Sequence, residues 1–371
     1  MNILVTGASG FIGKNLIREL RNRKFETIFT FDVDSDPGLL DEYCKNAEFV
    51  FHLAGINRPK EEEEFMTGNF GFTSQLLDTL AKHKNTCPIV VSSSVQAERD
   101  NPYGKSKKAG EDLLFEYGKI AGARVLIYRL PNVFGKWCRP NYNSAVATFC
   151  HNIARDLPIQ INDPSVPMTL VYIDDVIEEW IRALGGNEHR EGDFCMVSTT
   201  HSILLGEIAE LIRSFRRSRE ERSIPDMSDA FTRKLYSTYL SYLPEDDFGY
   251  DLRMNVDYRG SFTEFIRTPD RGQVSVNISK PGITKGNHWH HTKNEKFLVV
   301  NGRGVIRFRQ VDSDRIIEYT VSGDQLRVID IPCGYTHNIE NLGDTDMVTV
   351  MWANEPFDPD HPDTFFMEVS R

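Results

Sequence analysis

The segment Asn2-Ile-Leu-Val-Thr-Gly-Ala-Ser-Gly-Phe-Ile-Gly13 decides the fold of the N-terminal part of the chain. Residues 2–6 form a short apolar strand pattern, and the glycine-rich turn after them opens a helical pattern from about Ile12 to Leu20. Such a turn lets backbone N–H groups approach a pyrophosphate, and the N-terminus of the following helix adds positive potential. The segment therefore predicts a dinucleotide site rather than a plain tight turn.

Strand patterns alternate with helical patterns through the N-terminal part of the chain. The further strand patterns are Thr27–Phe31, Phe49–Leu53, Pro88–Val91 and Arg124–Tyr128, and the helical patterns include Thr73–Lys82 and Ser106–Tyr117. Because polar residues stand only at the C-terminal ends of the apolar runs, we expect the strands to be buried on both faces. The alternation predicts an α/β fold, a Rossmann-like doubly wound parallel sheet.

The pattern changes near residue 244. From Leu252 on, short strand-like runs alternate with turns that are rich in Gly, Asp and Asn. These runs are Val274–Ile278, Lys296–Val300, Gly304–Arg309, Ile316–Val321, Gln325–Ile331 and Met347–Trp352. They predict an all-β domain of sandwich or barrel type. We expect two domains, residues 1–243 and residues 252–371, joined by a linker over residues 244–251.

The composition argues against several classes of protein. The chain has 43 Lys and Arg against 54 Asp and Glu, and its net charge of -11 disfavours nucleic acid as a partner. No apolar run approaches the ~18 residues that a membrane span requires, and the N-terminus lacks the basic start of a signal peptide. The six cysteines form no CxxC pair, which indicates reduced thiols in a cytoplasmic protein.

Asp32 ends the second predicted strand, where a carboxylate can bind the ribose diol of a dinucleotide. The same charge repels a 2′-phosphate, so Asp32 favours NAD over NADP. There are three alternatives. Asp32 is a plain surface carboxylate, Asp34 takes a similar role at the ribose, or Lys24 or Arg58 folds in and adds a positive charge.

Tyr103 and Lys107 are four residues apart, so both project from one face if the segment is helical. A nearby ammonium group lowers the pKa of a phenol, which allows Tyr103 to act as an acid or base near neutral pH. The run Ser92-Ser-Ser94 ends the preceding strand and can donate a hydrogen bond to a substrate carbonyl. A surface helix is the alternative, but the glycine turn and the serine-rich strand end favour a catalytic pair.

These motifs together resemble the extended short-chain dehydrogenase/reductase family, which acts mainly on nucleotide sugars. The motifs are Thr6–Gly13, His52–Gly55, Ser92–Ser94, Tyr103–Lys107, Arg129–Gly135 and Tyr172–Val176. The resemblance implies that Tyr103 is the proton donor and that Lys107 holds the nicotinamide ribose. It also implies that Ser94, or Ser93 one place earlier, orients the carbonyl.

The same resemblance implies the rest of the nucleotide and substrate site. The implied cofactor-binding residues are Gly7, Gly10, Phe11, Ile12, Gly13, Asp32, Ala54 and Gly55, together with Tyr103 and Lys107. Asn132 is implied to lie near the nucleotide sugar. Only eight residues separate Ser94 from Tyr103, fewer than in many relatives, so we expect that side of the sugar pocket to be more open.

A second set of residues in the C-terminal part has the spacing of metal ligands. His288 and His290 are two residues apart, which puts them on the same face of a strand. Glu295 comes from the next strand region, and His337 comes from a distant one. Three imidazoles and a carboxylate are a normal ligand set for Zn, Fe, Mn or Ni. We interpret the neighbouring His291, on the opposite strand face, as a non-ligand.

These residues resemble both cupin motifs, except that Gly323 lies further upstream of Pro332 than the second motif usually places its glycine. The resemblance implies a jelly-roll barrel. The stretch Asp257-Tyr-Arg-Gly-Ser-Phe-Thr-Glu264 is similar to the start of the barrel in sugar-nucleotide 3,5-epimerases of cupin fold. That similarity implies that Arg259 lies near a phosphate, the alternative being a structural arginine in a turn. Those epimerases generally use histidine bases without a metal, but the complete ligand set here predicts a bound metal.

The whole chain resembles the family of CapF-type bifunctional capsular polysaccharide enzymes, notably over Leu235–Leu243 and Lys285–Phe297. The resemblance implies a bifunctional homodimer that uses zinc and NADPH and acts on the route to UDP-N-acetyl-L-fucosamine for capsule or O-antigen. Its substrate would be UDP-2-acetamido-2,6-dideoxy-hexos-4-ulose, epimerised at C3 in the cupin and then reduced at C4. Because Asp32 conflicts with NADPH, NADH remains open, and we expect a smaller NADP preference than that of the family.

Two other functions remain open. One is a nucleotide-sugar 4-epimerase or dehydratase that recycles its cofactor and carries a structural cupin. The other is a sensor that binds NAD(H) and metal without turnover, although such a protein has no need of the Tyr103–Lys107 pair. Three residues are equivalent candidates for the base of epimerisation: Lys285, His291 and Tyr335.

Overall fold

The structure is a computed structural model that describes residues 1–268 and 270–370. It divides into two compact units. The N-terminal unit comprises Met1–Arg213 and Ser228–Pro244, and the C-terminal unit comprises Ser214–Met227 and the chain from Glu245 onward. Residues 214–227 thus group with the C-terminal unit although they precede the expected boundary, and the linker over residues 244–251 stays a prediction.

The N-terminal unit contains strands and helices in alternation. Its strands are β1 (Asn2–Thr6), β2 (Thr27–Phe31), β3 (Phe49–His52), β4 (Ile89–Ser94), β5 (Val125–Leu130), β6 (Asn132–Phe134), β7 (Pro167–Tyr172), β8 (Arg190–Glu191), β9 (Phe194–Cys195) and β10 (His201–Leu204). The helices of the chain are α1 (Phe11–Asn22), α2 (Pro37–Asn46), α3 (Glu63–Phe65), α4 (Phe72–Lys82), α5 (Pro102–Ala121), α6 (Ala145–Ile153), α7 (Ile173–Leu184), α8 (Leu205–Glu221) and α9 (Ala230–Leu240). A π-helical turn, Met66–Gly71, precedes α4.

The main sheet has the strand order β2-β1-β3-β4-β5-β9-β8. All neighbours along it pair in parallel except β8 and β9, which confirms the predicted doubly wound α/β fold. A smaller sheet has the order β10-β7-β6. β2 lies on one side of β1 and β3 lies on the other, so the strand order reverses between β1 and β3. In such sheets, ligands bind outside the carboxyl ends of the strands at the point of reversal.

Alternate residues of β1 pack into two different apolar cores. Ile3 and Val5 pack into the cluster that contains Leu16 of α1 and Trp180 of α7. Leu4 packs into the cluster on the other face, which contains Leu76 of α4. Because successive side chains of a strand point to opposite faces, burial on both sides explains why the strand sequence is apolar throughout.

Helix α5 begins four residues earlier than its apolar pattern suggests. Asn101 caps it, because its Oδ1 accepts a hydrogen bond from Gly104 N at 2.8 Å, and Pro102 occupies the first turn. Asparagine at the cap and proline at the first position are both favoured at the start of a helix. The early start brings Tyr103 into the first turn and Lys107 into the second.

From β11 onward, the C-terminal unit is an antiparallel all-β domain, as predicted. Its strands are β11 (Asn255–Asp257), β12 (Gly260–Thr268), β13 (Gly272–Ser279), β14 (Thr284–Trp289), β15 (Glu295–Asn301), β16 (Arg303–Gln310), β17 (Ile316–Ser322), β18 (Val328–Ile331), β19 (Tyr335–Asn341), β20 (Met347–Ala353) and β21 (Phe365–Phe366). They form two sheets with the orders β11-β12-β13-β20-β15-β18 and β17-β16-β19-β14-β21. Side chains from both sheets meet in one apolar cluster, which includes Phe297, Ile306 and Ile339.

Two further observations bear on the expectations from composition. Among the residues that the structure describes, no helix combines the length and the apolar character needed to cross a membrane. All six cysteines are free thiols. Burial raises the pKa of Cys44 and of Cys87 to about 12, so both thiols stay protonated at neutral pH.

Candidate functional site

The glycine-rich turn after β1 is built for close backbone packing. Gly7 has a φ of +67°, and a Cβ at this position would lie 2.6 Å from Ala54 N. A Cβ at Gly13 would lie 2.3 Å from Gly7 O, so no side chain fits at either position without a shift of the backbone. Gly10 caps α1 without a side-chain hydrogen bond and is exposed, which leaves the first amide groups of the helix open to an anion.

The residues next to this turn pack against the apolar core or connect the ends of two strands. Phe11 and Ile12 are half-buried and pack against the cluster that contains Leu16. Ala54 N donates to Thr6 Oγ1 at 3.3 Å, which joins the ends of β1 and β3. The exposed helix terminus over a tightly packed turn fits the pyrophosphate of a dinucleotide.

Asp32 follows β2 and is held by the glycine-rich turn. Its Oδ2 accepts hydrogen bonds from Ser9 N at 2.9 Å and from Ser9 Oγ at 2.7 Å. Arg58 is engaged with the ring of Tyr142, at 5.8 Å from the ring centroid, rather than with Asp32. The carboxylate therefore lies beside the open helix terminus, where the ribose of a dinucleotide is expected.

The charge of Asp32 gives a prediction on cofactor choice. Asp32→Asn keeps an acceptor for Ser9 but removes the negative charge, so the variant is expected to raise kcat/KM for NADPH relative to NADH. Removal of about 1 kcal/mol of repulsion corresponds to roughly fivefold. Steady-state kinetics with both cofactors measure the ratio, and Asp34→Asn is the matched control. An unchanged ratio in Asp32→Asn would show that the carboxylate does not select the cofactor.

Tyr103 and Lys107 lie on adjacent turns of α5 and face the end of β4. Lys107 Nζ donates to Ser92 O at 3.2 Å and lies 5.9 Å from the centroid of the Tyr103 ring. Burial lowers the pKa of Lys107 to about 8. Burial also raises the pKa of Tyr103, although an interaction with the Ser94 side chain acts in the opposite direction. The phenol therefore holds its proton at neutral pH and is available as a donor.

In the C-terminal unit, the structure brings the four expected metal ligands together. One ligand atom from each of His288, His290, Glu295 and His337 lies within 4.8 Å of all the others. Glu295 Oε2 is 3.5 Å from His290 Nε2 and 3.3 Å from His337 Nε2. His291, interpreted as a non-ligand, is not part of this group.

The chemistry of these atoms fits a divalent cation. His290 Nε2, Glu295 Oε2 and His337 Nε2 are buried and have no hydrogen-bond partner among the residues described. Burial opposes ionisation of Glu295, but the close approach of the His290 and His337 rings outweighs it and lowers the pKa of Glu295 to about 2. Three buried acceptor atoms that converge without partners are costly unless a cation binds them.

A cavity of about 580 Å³ opens beside these ligands. His288, Glu295 and His337 line it, and so do Lys285 and Arg259. Of the three candidate bases, only Lys285 is among the lining residues. His291 instead contacts the ring of Phe365, with ring centroids 4.9 Å apart.

Lys285 and Arg259 are held in different ways at the cavity wall. Lys285 Nζ donates to Ile278 O at 2.8 Å and to Asn277 Oδ1 at 2.9 Å, and burial lowers its pKa. Arg259 donates to Asp257 Oδ2 from Nε at 3.0 Å and from Nη2 at 2.6 Å. Arg259 therefore reaches the cavity as part of an ion pair, and its expected contact with a phosphate stays a prediction.

Comparison with known proteins decides the family. Residues 3–194 match the description "NAD dependent epimerase/dehydratase family", and residues 255–365 match "Polysaccharide biosynthesis C-terminal domain". The chain belongs to the NAD dependent epimerase/dehydratase family. A nicotinamide cofactor in the N-terminal unit follows from this membership.

The similarity to two characterised relatives extends over the full chain. The chain is 46% identical over 371 residues to the UDP-2-acetamido-2,6-beta-L-arabino-hexul-4-ose reductase of Pseudomonas aeruginosa, with 100% of both chains covered. It matches the crystal structure of the capsular polysaccharide assembling protein CapF from Staphylococcus aureus at 57% identity and a TM-score of 0.95, again over 100% of both chains. UDP-glucuronate 4-epimerase 1 of Arabidopsis thaliana is 27% identical but covers 52% of this chain and 57% of its own length. The chain is thus CapF-like from end to end.

Asn69 is a buried polar residue that the sequence motifs do not identify as part of the site. It lies in the π-helical turn, where its Oδ1 accepts from Ile56 N at 2.8 Å and its Nδ2 donates to Ser106 Oγ at 2.9 Å. A Cβ at Gly55 would lie 2.9 Å from Asn69 Oδ1 and 3.1 Å from Lys107 Nζ. Asn69 therefore fixes the loop after β3 beside Lys107. The only signal in the sequence is a polar side chain in a largely apolar helical pattern.

Asn132 is the first residue of β6. Its side chain is exposed, and Nδ2 donates to Thr169 O at 3.3 Å. Nearby in sequence, the guanidinium carbon of Arg139 lies 4.9 Å from the centroid of the Tyr142 ring. No side-chain hydrogen bond joins Asn132 to Tyr103 or Lys107 within the described parts of the chain, and its role toward a sugar stays a prediction.

The structure distinguishes the two serines that the sequence left open. Ser93 Oγ donates to Glu111 Oε1 at 2.5 Å, and Glu111 is in turn buried against Arg129, with Oε2 2.6 Å from Nη2. Ser94 Oγ instead accepts from Gln96 N at 3.2 Å, and its side chain interacts with that of Tyr103. Ser93 is thus committed to a buried network, and Ser94 is the candidate for the carbonyl.

Separate effects are expected for the two serines. Ser94→Ala removes a donor to the developing charge on the ketone oxygen and is expected to lower kcat by ~10²-fold. Ser93→Ala removes a hydrogen bond to a buried carboxylate and is expected to cost about 1.5–3 kcal/mol of stability instead. Steady-state kinetics and urea unfolding of both variants measure the two effects. The assignment is wrong if Ser93→Ala loses more activity than Ser94→Ala at a temperature where both are folded.

Proposed function

We propose that this protein is a bifunctional UDP-sugar enzyme. The C-terminal unit epimerises UDP-2-acetamido-2,6-dideoxy-hexos-4-ulose at C3, and the N-terminal unit then reduces the C4 ketone with NADH or NADPH. The product leads toward UDP-N-acetyl-L-fucosamine for capsule or O-antigen. The two steps share one chemical group, because the C4 ketone acidifies the C3 proton and is itself the acceptor of hydride.

One observation carries this proposal. A single chain combines an acid–base pair beside a dinucleotide turn with a separate cavity beside a three-histidine, one-glutamate group. A relative that spans the whole chain is named as a reductase of such a 4-keto sugar. Matches to 4-epimerases extend over about half of the chain and therefore do not account for the second centre.

In the reductase centre, the nicotinamide supplies the hydride when it is bound. Tyr103 Oη donates its proton to O4 of the sugar as the ketone is reduced. Lys107, held by Ser92 O, keeps a positive charge near the phenolate that forms and so stabilises it. Ser94 Oγ donates a hydrogen bond to O4 and stabilises the charge that develops there.

In the epimerase centre, His288, His290, Glu295 and His337 hold a divalent cation, for which we propose zinc. Such an ion polarises the ketone when it is bound. Lys285 removes the C3 proton, because it is the candidate base that lines the cavity, and a proton from solvent returns to the opposite face of C3. Asn277 and Ile278 hold the Lys285 amine in place. Arg259 contributes positive charge on the same cavity wall toward the diphosphate of the substrate.

The role of Lys285 gives a prediction that separates the two reactions. Lys285→Met is expected to lower deuterium incorporation at C3 by ~10²–10⁴-fold, the usual contribution of a positioned acid or base. Reduction of a substrate that is already epimerised is expected to continue. Lys280→Met is the matched control, since Lys280 is an exposed lysine paired with Asp346 at 2.8 Å. Undiminished exchange in Lys285→Met would assign the proton to another group.

The function as a whole is tested by one reaction in heavy water. The UDP-4-keto-6-deoxy-N-acetylhexosamine is incubated with the protein and NADPH, and the product is analysed by NMR. Reduced product with deuterium at C3 supports both activities. Reduced product without deuterium leaves a simple reductase with a structural barrel, and no reduction favours a 4-epimerase or dehydratase.

We further propose that the enzyme is a cytoplasmic homodimer. The cytoplasmic location is supported by six free thiols and by the use of a reduced nicotinamide. The dimer rests on the full-length likeness to CapF. Light scattering after size-exclusion chromatography measures the mass directly, and a single-chain mass at working concentration would contradict the dimer.

A further inference from the structure

The C-terminal segment of the chain lies along the strand that carries the first metal ligand. β21 pairs antiparallel with β14, with Phe366 opposite His288 and Phe365 opposite Trp289. Further along, the buried Arg309 donates from Nε to Val369 O at 2.8 Å and from Nη2 to Glu368 O at 2.8 Å. These hydrogen bonds fasten the segment to the sheet that contains β14 and β19.

Asp363 of this segment contacts a metal ligand directly through its backbone. Its carbonyl oxygen accepts a hydrogen bond from His290 Nδ1 at 2.5 Å. A carbonyl oxygen only accepts, so Nδ1 carries the proton, and the lone pair of His290 is left on Nε2. Nε2 is the atom that lies 3.5 Å from Glu295 Oε2 and has no hydrogen-bond partner in the described chain. Asp363 thereby sets both the tautomer and the orientation of this ligand.

The carboxylate of the same residue anchors the loop between β14 and β15. Asp363 Oδ1 accepts from His291 N at 3.0 Å, and Oδ2 accepts from Thr292 N at 2.9 Å and from Lys293 N at 2.8 Å. These amide hydrogen bonds outweigh burial and hold the pKa of Asp363 well below its usual range. Asp363 has a φ of 38°, in the left-handed region, and this loop is the surrounding structure that holds it there.

The buried Lys293 also links this loop to the C-terminal segment. Lys293 Nζ donates to Pro362 O at 2.9 Å, and Lys293 itself is buried. Cys333 Sγ donates to Lys293 O at 3.3 Å, which joins this loop to the turn before β19, the strand of His337. The loop that separates His290 from Glu295 is thus fixed at its backbone and at its lysine side chain by two consecutive residues, Pro362 and Asp363.

We propose that Asp363 is a positioning residue for the cation centre, which it serves by fixing His290 and the loop up to Glu295. It does not touch the cation itself, and its effect is carried by the hydrogen bonds to His290, His291, Thr292 and Lys293. This inference rests on the metal-binding part of the proposed function. Outer partners of metal-bound histidines typically contribute 10–100-fold to metal affinity.

The test measures zinc affinity of the full chain by competition with a chromophoric chelator. Asp363→Ala is expected to weaken binding by about 10–100-fold. Asp363→Ala keeps the backbone carbonyl that accepts from His290 but removes the carboxylate that anchors the loop amides, so the position of that carbonyl is no longer fixed. With cobalt in place of zinc, the visible absorption spectrum of the variant is therefore expected to change. Asp363→Asn keeps one carbonyl-type acceptor for the loop amides and is expected to lie between the wild type and Asp363→Ala.

Two controls make the outcomes distinct. Asp360→Ala makes the same change in the same segment, at an exposed residue away from His290, and is expected to leave zinc affinity and the cobalt spectrum unchanged. Lys293→Met loosens the loop while Asp363 is intact and is expected to weaken zinc binding as well. Wild-type protein that binds no zinc would refute the metal centre itself. Zinc binding by Asp363→Ala that equals the wild type would refute only the role of Asp363.

Discussion

Tyr103→Phe is expected to lower reduction of the C4 ketone by ~10²–10⁴-fold, while deuterium exchange at C3 continues. The substitution removes one hydroxyl group from a half-buried ring and leaves Lys107 with its hydrogen bond to Ser92 O. The loss therefore measures proton donation rather than a change in packing. Stopped-flow oxidation of NADPH measures the reduction, and NMR measures the exchange in the same sample.

The same helix provides a matched control for Tyr103. Tyr117 also lies on α5, and its hydroxyl donates to Asn85 O at 2.9 Å, outside the acid–base pair. Tyr117→Phe is expected to cost about 1 kcal/mol of stability and to leave kcat within twofold. If Tyr103→Phe keeps more than a tenth of the activity, the proton comes from another group and the assignment of the pair is wrong.

His290→Gln is expected to abolish zinc binding at micromolar concentration and to lower exchange at C3 by at least ~100-fold. His290 is buried, and its Nε2 is one of three atoms in the metal group that have no hydrogen-bond partner among the described residues. Removal of a direct ligand costs more than loss of an outer partner, for which 10–100-fold is typical. Metal content after dialysis and NMR detection of deuterium at C3 measure the two effects.

The adjacent histidine is the control for this second variant. His291 contributes its backbone N–H to Asp363 but is not among the grouped ligand atoms, so His291→Gln preserves that hydrogen bond. It is expected to bind zinc as the wild type does and to exchange at C3 at a similar rate. Loss of zinc in His291→Gln equal to that in His290→Gln would mean that the ligand set is wrong.

Features that depend on local spacing were predictable from the sequence. Gly7 and Gly13 mark a turn, because a Cβ at either position would clash with neighbouring backbone atoms. The spacing of the apolar residues indicates the alternation of strands and helices around this turn. The i, i+4 spacing of Tyr103 and Lys107 fixes their common helix face. In the same way, His288 and His290 come together because they are two residues apart near the end of a strand.

Features that depend on long-range contacts were not predictable. Asp363 is 73 residues from His290, and nothing in either segment indicates that the carbonyl of one accepts from the ring of the other. Asn69 is buried because of a π-helical turn, which has no sequence pattern of its own. The bulge in β14 at Asn287, with a φ of 58°, likewise depends on pairing with β19 and on the C-terminal segment.

The exposed position of Cys333 has a practical consequence. Burial raises the pKa of the other five thiols, at Cys44, Cys87, Cys138, Cys150 and Cys195, and so suppresses the thiolate that reacts with electrophiles. Cys333 is exposed and donates to the backbone of Lys293 in the loop between β14 and β15. A fluorescent maleimide under mild conditions is therefore directed to one place in the chain. There the dye reports optically, in real time, on the loop that connects two of the candidate metal ligands.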